Sequence, residues 1–303
     1  MPELPEVEVV RAGLEPAVTG ATVDSVTVFD ERSLRRHDGP AEDFVDRLAG
    51  RGILSAERRG KFLWLPLGEA VSGPEQAPEA LVVHLGMSGQ VLLRDRVTDD
   101  RLTRIRLDID HPQHGPLRLN FVDQRIFGSM AIDTMLPTAD VPGSRVPSQV
   151  AHIARDPLDP AFDDRLFLAR LAARNTGVKR ALLDQTLLSG VGNIYADEAL
   201  WAARVHYAQP TGSLSRARAK LLLAEVRLVL AKALGEGGTS FDAQYVNVNG
   251  ASGYFSHSLN AYGQQGKPCA RCGRPIVRES FMNRGSHFCP FCQRVRLDPV
   301  SAK

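Results

Sequence analysis

Two groups of residues in this 303-residue chain have types and spacings that can do chemistry. The first is the opening Met1-Pro2-Glu3. Removal of the initiator methionine, expected before a residue as small as proline, leaves a secondary amine. An α-amino group titrates near pH 8, so about a tenth of it is uncharged at neutral pH, far more than for a lysine. Such an amine attacking a sugar C1′ gives a cationic iminium, an electron sink from which protons and phosphates can be lost. Glu3 stands beside it to protonate the sugar ring oxygen or shuttle a proton. A plain terminus whose Pro2 and Pro5 only start a helix has the same sequence. Lys61, in Arg58-Arg59-Gly60-Lys61, enters a strand where it can clamp a phosphate or act as an acid.

The second group is the full set of four cysteines, Cys269-x-x-Cys272 and, sixteen residues on, Cys289-x-x-Cys292. That spacing is typical of a structural zinc site. Four soft thiolates suit one tetrahedral Zn²⁺ and leave no open position for catalysis. A segment of some 30 residues has too little apolar surface to fold alone, so the metal must supply much of its stability. Between the cysteine pairs, Asn283 to Gly285 suits a hairpin tip that holds Arg284 outward, where a guanidinium can grip a phosphate. From Lys267 onward eight basic residues face two acidic ones, a net +6 against −4 for the rest of the chain. A basic module on a mildly acidic body is a footprint of phosphate binding, although a solubilising tail has the same charge. Together the two groups suggest amine chemistry on a nucleic acid.

A third element lies at Gly190-Val191-Gly192-Asn193 between two helical patterns. Gly190 can stop the first helix in a left-handed conformation and Asn193 can cap the second. Backbone N–H groups at such a turn and helix start form an anion nest. A DNA phosphate held there would have Lys179, Arg174 or Asn193 to assist; an ordinary helical hairpin shows the same spacing.

The positioning elements follow from periodicity. Leu4, Val7, Val10 and Leu14 recur at helical spacing, with Pro5 in a first turn and Gly20 past the end. That helix would pin the terminal amine. Strand patterns follow at Thr22–Phe29, Lys61–Pro66, Ala80–His84, Gln90–Leu93, Arg104–Asp110 and Leu117–Phe121, with a helix near Ala41–Leu48. Residues 136–160 hold five prolines and little pattern, marking an interdomain linker. Helical spacing then returns at Arg165–Asn175, Lys179–Leu188, Ile194–Ala203 and Ser215–Leu234. Residues 235–266 read as a long loop, which in a compact protein is usually functional or disordered. The expected fold class is α+β: an N-terminal β-sandwich (1–135), the linker (136–160), a helical unit (161–266) and a four-cysteine finger (267–303). No apolar run approaches the roughly 18 residues of a membrane span, and Glu3, Glu6 and Glu8 oppose a secretory signal. A reducing cytoplasm is the expected compartment, where paired cysteines favour metal over disulfides.

The opening Pro2-Glu3-Leu4-Pro5-Glu6-Val7-Glu8, the Gly-Val-Gly-Asn turn and the terminal finger, in this order, resemble the bacterial formamidopyrimidine-DNA glycosylases over essentially the whole chain. The resemblance implies a helix-two-turns-helix domain and a bifunctional glycosylase and AP lyase of base excision repair, removing oxidised purines such as 8-oxoguanine and formamidopyrimidines. It implies Pro2 as Schiff-base nucleophile, Glu3 as proton donor, Lys61 in β-elimination and Arg284 in δ-elimination and phosphate binding. His84-Leu85-Gly86-Met87-Ser88-Gly89 is similar to a DNA-contacting loop whose methionine, Met87, fills the space left by an extruded base. Asp123-Gln124-Arg125-Ile126-Phe127-Gly128 is similar to its partner, with Arg125 facing the orphaned cytosine and Phe127 wedging the stack. An apolar wedge and an arginine make physical sense for an enzyme that must unstack a base and stabilise the gap.

Two departures stand out. Leu102-Thr103-Arg104 lies where many relatives carry a DNA-contacting histidine, and Gly68–Ala77 is an insertion without an assigned role. A lesion-capping loop is expected within Gly235–Gly250. The partner implied is duplex DNA with oxidised bases or abasic sites, met by a monomeric, nucleoid-associated enzyme in a basic cleft between the two domains. The endonuclease VIII group shares the architecture but prefers oxidised pyrimidines and usually carries glycine where this chain has Leu4. A catalytically inactive DNA-binding paralogue would lack a reason to keep Pro2, Glu3, Lys61 and Arg284 together. An RNA-binding protein using the same helical turn leaves the N-terminal motif unexplained.

Overall fold

The computed structural model describes residues 2–68, 77–238, 248–249 and 255–296. The chain divides into two compact units, residues 1–152 with 237–254, and residues 153–236 with 255–303.

The first unit opens with helix α1 (Leu4–Val18), whose Leu4, Val7, Val10 and Leu14 are buried as their spacing requires. Strand β1 (Thr22–Val28) and helix α2 (Ala41–Leu48) follow, then β2 (Glu57–Arg59), β3 (Phe62–Pro66), β4 (Glu79–His84), β5 (Gly89–Arg94), β6 (Thr103–His111), β7 (Gly115–Asp123), β8 (Ser129–Pro137) and β9 (Arg145–Pro147). All pairs are antiparallel, in a four-stranded sheet ordered β1-β6-β7-β5 and a five-stranded sheet ordered β2-β3-β4-β8-β9. Ile105, Leu107 and Ile109 of one sheet share a core with Leu63, Leu81 and Ile132 of the other, so the sheets form a sandwich, with Val7, Val10 and Leu14 of α1 in the same core. Val248 is buried in that core, and its carbonyl accepts from the Leu93 N–H at 2.9 Å.

The expected linker differs from what is found. Strand β8 continues to Pro137 and pairs with β9, so residues 136–147 belong to the sandwich and the first unit runs to His152. Pro147 lies in the edge strand β9 and Pro137 is the last residue of β8, positions where a missing donor interrupts little of the ladder.

The second unit contains α3 (Asp164–Ala172), α4 (Val178–Leu182), α5 (Asn193–Ala202), α6 (Arg216–Gly235) and the hairpin β10 (Val277–Phe281) and β11 (Arg284–Phe288). Asp163 and Ser215 cap α3 and α6 by accepting first-turn N–H groups. Helix α4 is shorter than the expected Lys179–Leu188. The Asp184 carboxylate takes the N–H and hydroxyl of Thr186, a local turn that competes with the helix. Of the expected 235–266 loop, residues 239–247 and 250–254 lie outside the described residues, among them Thr239, Ser240 and Phe241; so do residues 69–76 of the insertion.

Candidate active site and nucleic-acid interface

Pro2 immediately precedes α1, and Glu3 is its N-cap residue, with only 2% of its surface exposed. The Glu3 N–H donates to Glu6 Oε2 at 2.8 Å, so the first turn closes on itself and fixes the direction of the terminus. Carboxylates at a helix N-terminus are favoured by its dipole. Lys61 sits in the turn between β2 and β3, where Gly60 takes φ +59°. Arg58 ties that turn to α1: its Nε donates to Glu8 Oε2 at 2.8 Å and its Nη1 to the Gly60 carbonyl at 3.0 Å. Burial pushes the Glu8 carboxyl up, but Arg11 and Arg58 more than offset it and hold the group below the usual range. Helix α1 and the lysine turn are thus braced by a pair that the sequence did not single out.

His84 ends β4. Its Nδ1 accepts the Gly86 N–H at 3.1 Å, which leaves the proton on Nε2. Burial foremost, then the charges of Arg36, Arg35 and Lys61, push the ring down to about 4. It is therefore a neutral N–H donor at physiological pH. Met87 lies in the turn that follows, and Arg125 and Phe127 lie in the turn between β7 and β8. Both turns close on one buried carboxylate. Asp123 accepts the Ser88 hydroxyl at 2.5 Å and the N–H groups of Arg125, Ile126 and Gly128 at 3.0, 3.0 and 2.6 Å. Ile126 adopts φ +55°, a strained value for a β-branched residue. Arg35 secures it by donating to the Ile126 carbonyl at 2.8 Å and to the Phe127 carbonyl. Phe127 is left 37% exposed under the Arg125 guanidinium, 4.6 Å from the ring centre. The pair is therefore an exposed aromatic stacked with a cation on a fastened loop.

In the second unit Gly190 takes φ +87° and the turn is pinned by Gln185, which accepts the Gly190 N–H and donates to the Val191 carbonyl, both at 3.0 Å. The cap of α5 is Gly192, not Asn193. Asn193 is the first helical residue, 6% exposed, and its Nδ2 donates to the Gly285 carbonyl at 3.0 Å. Lys179 also differs from expectation. It is fully buried, paired with Asp197 at 2.6 Å and within 3.0 Å of Ser286 Oγ, because the ammonium fills a polar hole between α4, α5 and β11. In this arrangement it holds the protein together and does not present its charge to a phosphate. Arg174 pairs with Asp184 at 2.7 Å and shares with Arg170 and Thr186 an open hollow of about 440 Å³.

The hairpin tip falls at Met282-Asn283, with φ of +45° and +60°, one residue before the expected position. Two consecutive left-handed residues are the signature of a two-residue hairpin turn. Arg284 is exposed as the first residue of β11. The four cysteine sulfurs lie within 4.8 Å of one another. The Trp201 indole donates to Cys269 Sγ at 3.4 Å. Burial acts to raise Cys269, but N–H groups of Arg271, Trp201 and Cys272 outweigh it and bring the thiol to about 6. Four sulfurs gathered this closely, with no other ligand type among them, fit a single Zn²⁺.

A sandwich led by a capped helix, followed by a helical unit with a four-thiol finger, is the architecture of a DNA glycosylase class with an H2TH domain. Residues 1–130 match the formamidopyrimidine-DNA glycosylase N-terminal domain, residues 153–244 the formamidopyrimidine-DNA glycosylase H2TH domain, and residues 266–295 the zinc finger found in FPG and IleRS. The formamidopyrimidine-DNA glycosylase of Leifsonia xyli subsp. xyli is 64% identical, with 97% of this chain and all of the relative covered. The crystal structure of the MutM (Fpg) protein of Thermus thermophilus superposes with a TM-score of 0.78 at 35% identity, over 96% of this chain and 98% of that one. Lactococcus lactis Fpg bound to abasic-site DNA gives 0.79 at 29% identity, over 96% and 99%. The chain belongs to the formamidopyrimidine-DNA glycosylase family.

Proposed function

We propose that the protein is a bifunctional DNA glycosylase and AP lyase of base excision repair, acting on oxidised purines in duplex DNA. The observation that carries this reading is Pro2 at the start of a capped helix, beside buried Glu3, in a chain of this family. The Pro2 nitrogen attacks C1′ as the C1′–N bond to the base breaks, and the base leaves with a proton. Glu3 protonates the opened ring oxygen. Having given its proton to the departing base, the proline nitrogen pushes its lone pair toward C1′ as the C1′–O4′ bond breaks, and the iminium so formed acidifies C2′. Loss of that proton breaks the C3′–O bond, and a second elimination breaks the C5′–O bond. Lys61 serves the first elimination and Arg284 the second, and hydrolysis then frees Pro2.

Neutral His84 and exposed Arg284 bind phosphate, with Arg174 and the α5 turn as further contacts. Met87, Arg125 and Phe127 occupy the gap left by the flipped nucleotide. Cys269, Cys272, Cys289 and Cys292 hold one Zn²⁺, whose task is to fold the finger. Lactococcus lactis Fpg has been seen with Fapy-dG DNA, in agreement with a purine lesion. Leu4, where the endonuclease VIII group usually carries glycine, also favours this over that pyrimidine-preferring group. No helix among the described residues is long and apolar enough to cross a membrane, and the substrate puts the working enzyme at the nucleoid as a monomer. Incision assays on duplexes with 8-oxoguanine, formamidopyrimidine and thymine glycol test the proposal. Faster cutting of the two purine lesions is expected; preferential cutting of thymine glycol would contradict it.

A further inference from the structure

Asp197 belongs to none of the motifs that carry the chemistry, yet it is among the most heavily bonded side chains in the second unit. It is 1% exposed and lies on α5, one turn beyond Asn193. Its Oδ1 faces Lys179 Nζ at 2.6 Å and accepts the Ser286 hydroxyl at 3.1 Å. Its Oδ2 accepts the His287 N–H at 2.8 Å, with His287 Nδ1 at 3.3 Å. Asn193 adds its own bond to the Gly285 carbonyl, and Lys179 reaches Ser286 Oγ. Three consecutive residues of β11 are therefore bolted to α4 and α5. The residue immediately before them is Arg284.

A buried carboxylate with several donors is held far more tightly than any surface pair, because breaking one bond strands a charge away from water. The finger is also held by Phe281 and Phe288 against Tyr207 and by Trp201 against the cluster of Cys269, Ile276 and Cys289. Those contacts lie away from the start of β11 or leave its register free to slide, whereas the Asp197 bonds fix it residue by residue. A flexible arginine at a hairpin tip would lose entropy on closing around a phosphate, so a rigid mount raises what the contact delivers.

We propose that Asp197 is a positioning residue that sets the register of β11 against the Gly190–Asn193 turn, so that Arg284 and the start of α5 present their donors as one preformed phosphate site. Asp197 touches no substrate; it acts through Arg284. This rests on the glycosylase/lyase reading, and the test separates the two.

The experiment uses the full-length, zinc-loaded protein and an abasic-site duplex. Asp197→Asn keeps the side-chain size but removes the charge facing Lys179. Lys179→Met/Asp197→Asn removes both charges together and avoids a lone buried ammonium, should the single change fail to fold. Zinc content is measured for each, with the β,δ- to β-elimination product ratio under single-turnover conditions and the salt dependence of binding. Both variants are expected to keep zinc and the borohydride-trapped adduct. The product ratio is expected to fall at least fivefold and the salt slope by about one phosphate unit, as for Arg284→Ala. In an Arg284→Ala background the same changes are expected to add nothing, since residues acting through one group are not additive. A wild-type ratio and slope in a zinc-loaded variant would overturn the proposal, and so would equal further losses in the Arg284→Ala background. Absence of an adduct from the unaltered protein would instead overturn the underlying function.

Discussion

At the scale of single residues, the two phosphate-binding candidates His84 and Arg284 differ in kind. Arg284 carries a full charge into solvent, whereas His84 is held neutral with its Nε2–H available. Binding by a charge releases counterions and binding by a neutral donor does not. Arg284→Ala is therefore expected to weaken DNA binding and flatten its salt dependence by about one unit, while His84→Ala weakens binding at nearly constant slope. Titrations between low and moderate salt check both. The same depressed pKa fixes a pH effect on stability. Between roughly pH 6.5 and about 4 the unfolded chain protonates this histidine and the native one does not, so stability falls as pH falls through that window. His84→Phe is expected to lose less stability on acidification from pH 6.5 to 4, and equal losses would contradict the assignment.

At the scale of elements, the two turns that carry Met87, Arg125 and Phe127 depend on Asp123. Beyond its carboxylate bonds, they approach so closely that a Cβ on Gly86 would lie 2.2 Å from the Phe127 carbonyl oxygen. Asp123→Ala leaves three N–H groups and a hydroxyl without their acceptor, and is expected to lower stability by about 2–4 kcal/mol and slow excision more than abasic-site cleavage. Denaturant unfolding and paired rate measurements check this. The helices α1, α2, α5 and α6 were legible because each repeats its apolar residues at helical spacing. Strand β8 was not, because Ser129, Met130, Ala131 and Ile132 are all buried and the run shows no alternation. The chemistry-bearing residues were legible through motif and spacing. Their supports Arg35, Arg58, Asp123 and Asp197 were not, since a buried ion or hydrogen-bond acceptor leaves no periodic trace. Lys179 shows the same limit in reverse: a lysine near a glycine-rich turn reads as a ligand until its carboxylate partner is seen.

At the scale of the whole molecule, the sandwich and the finger derive their stability differently. The sandwich has a continuous apolar core, whereas the buried apolar or cysteine side chains among the described finger residues are Cys269, Ile276, Phe288 and Cys289. Metal removal is expected to unfold the finger and abolish tight DNA binding while the sandwich survives. The chain has two tryptophans, Trp64 in β3 and Trp201 against Cys269, so the Trp64→Phe variant reports on the finger alone. Its emission is expected to shift to the red on chelation, and hydrogen exchange at Leu63, Leu81 and Phe121 to stay slow. An unchanged emission in metal-free protein would show that the finger folds without zinc.

The identity of the attacking atom is the centre of the account. Borohydride reduction of the reaction on an abasic duplex, followed by proteolysis and mass spectrometry, locates the linked residue directly. One modified peptide is expected, beginning at Pro2 and lacking Met1, with the sugar on the proline nitrogen. A sugar linked to Lys61 or another lysine, or an active protein that retains Met1, would contradict it.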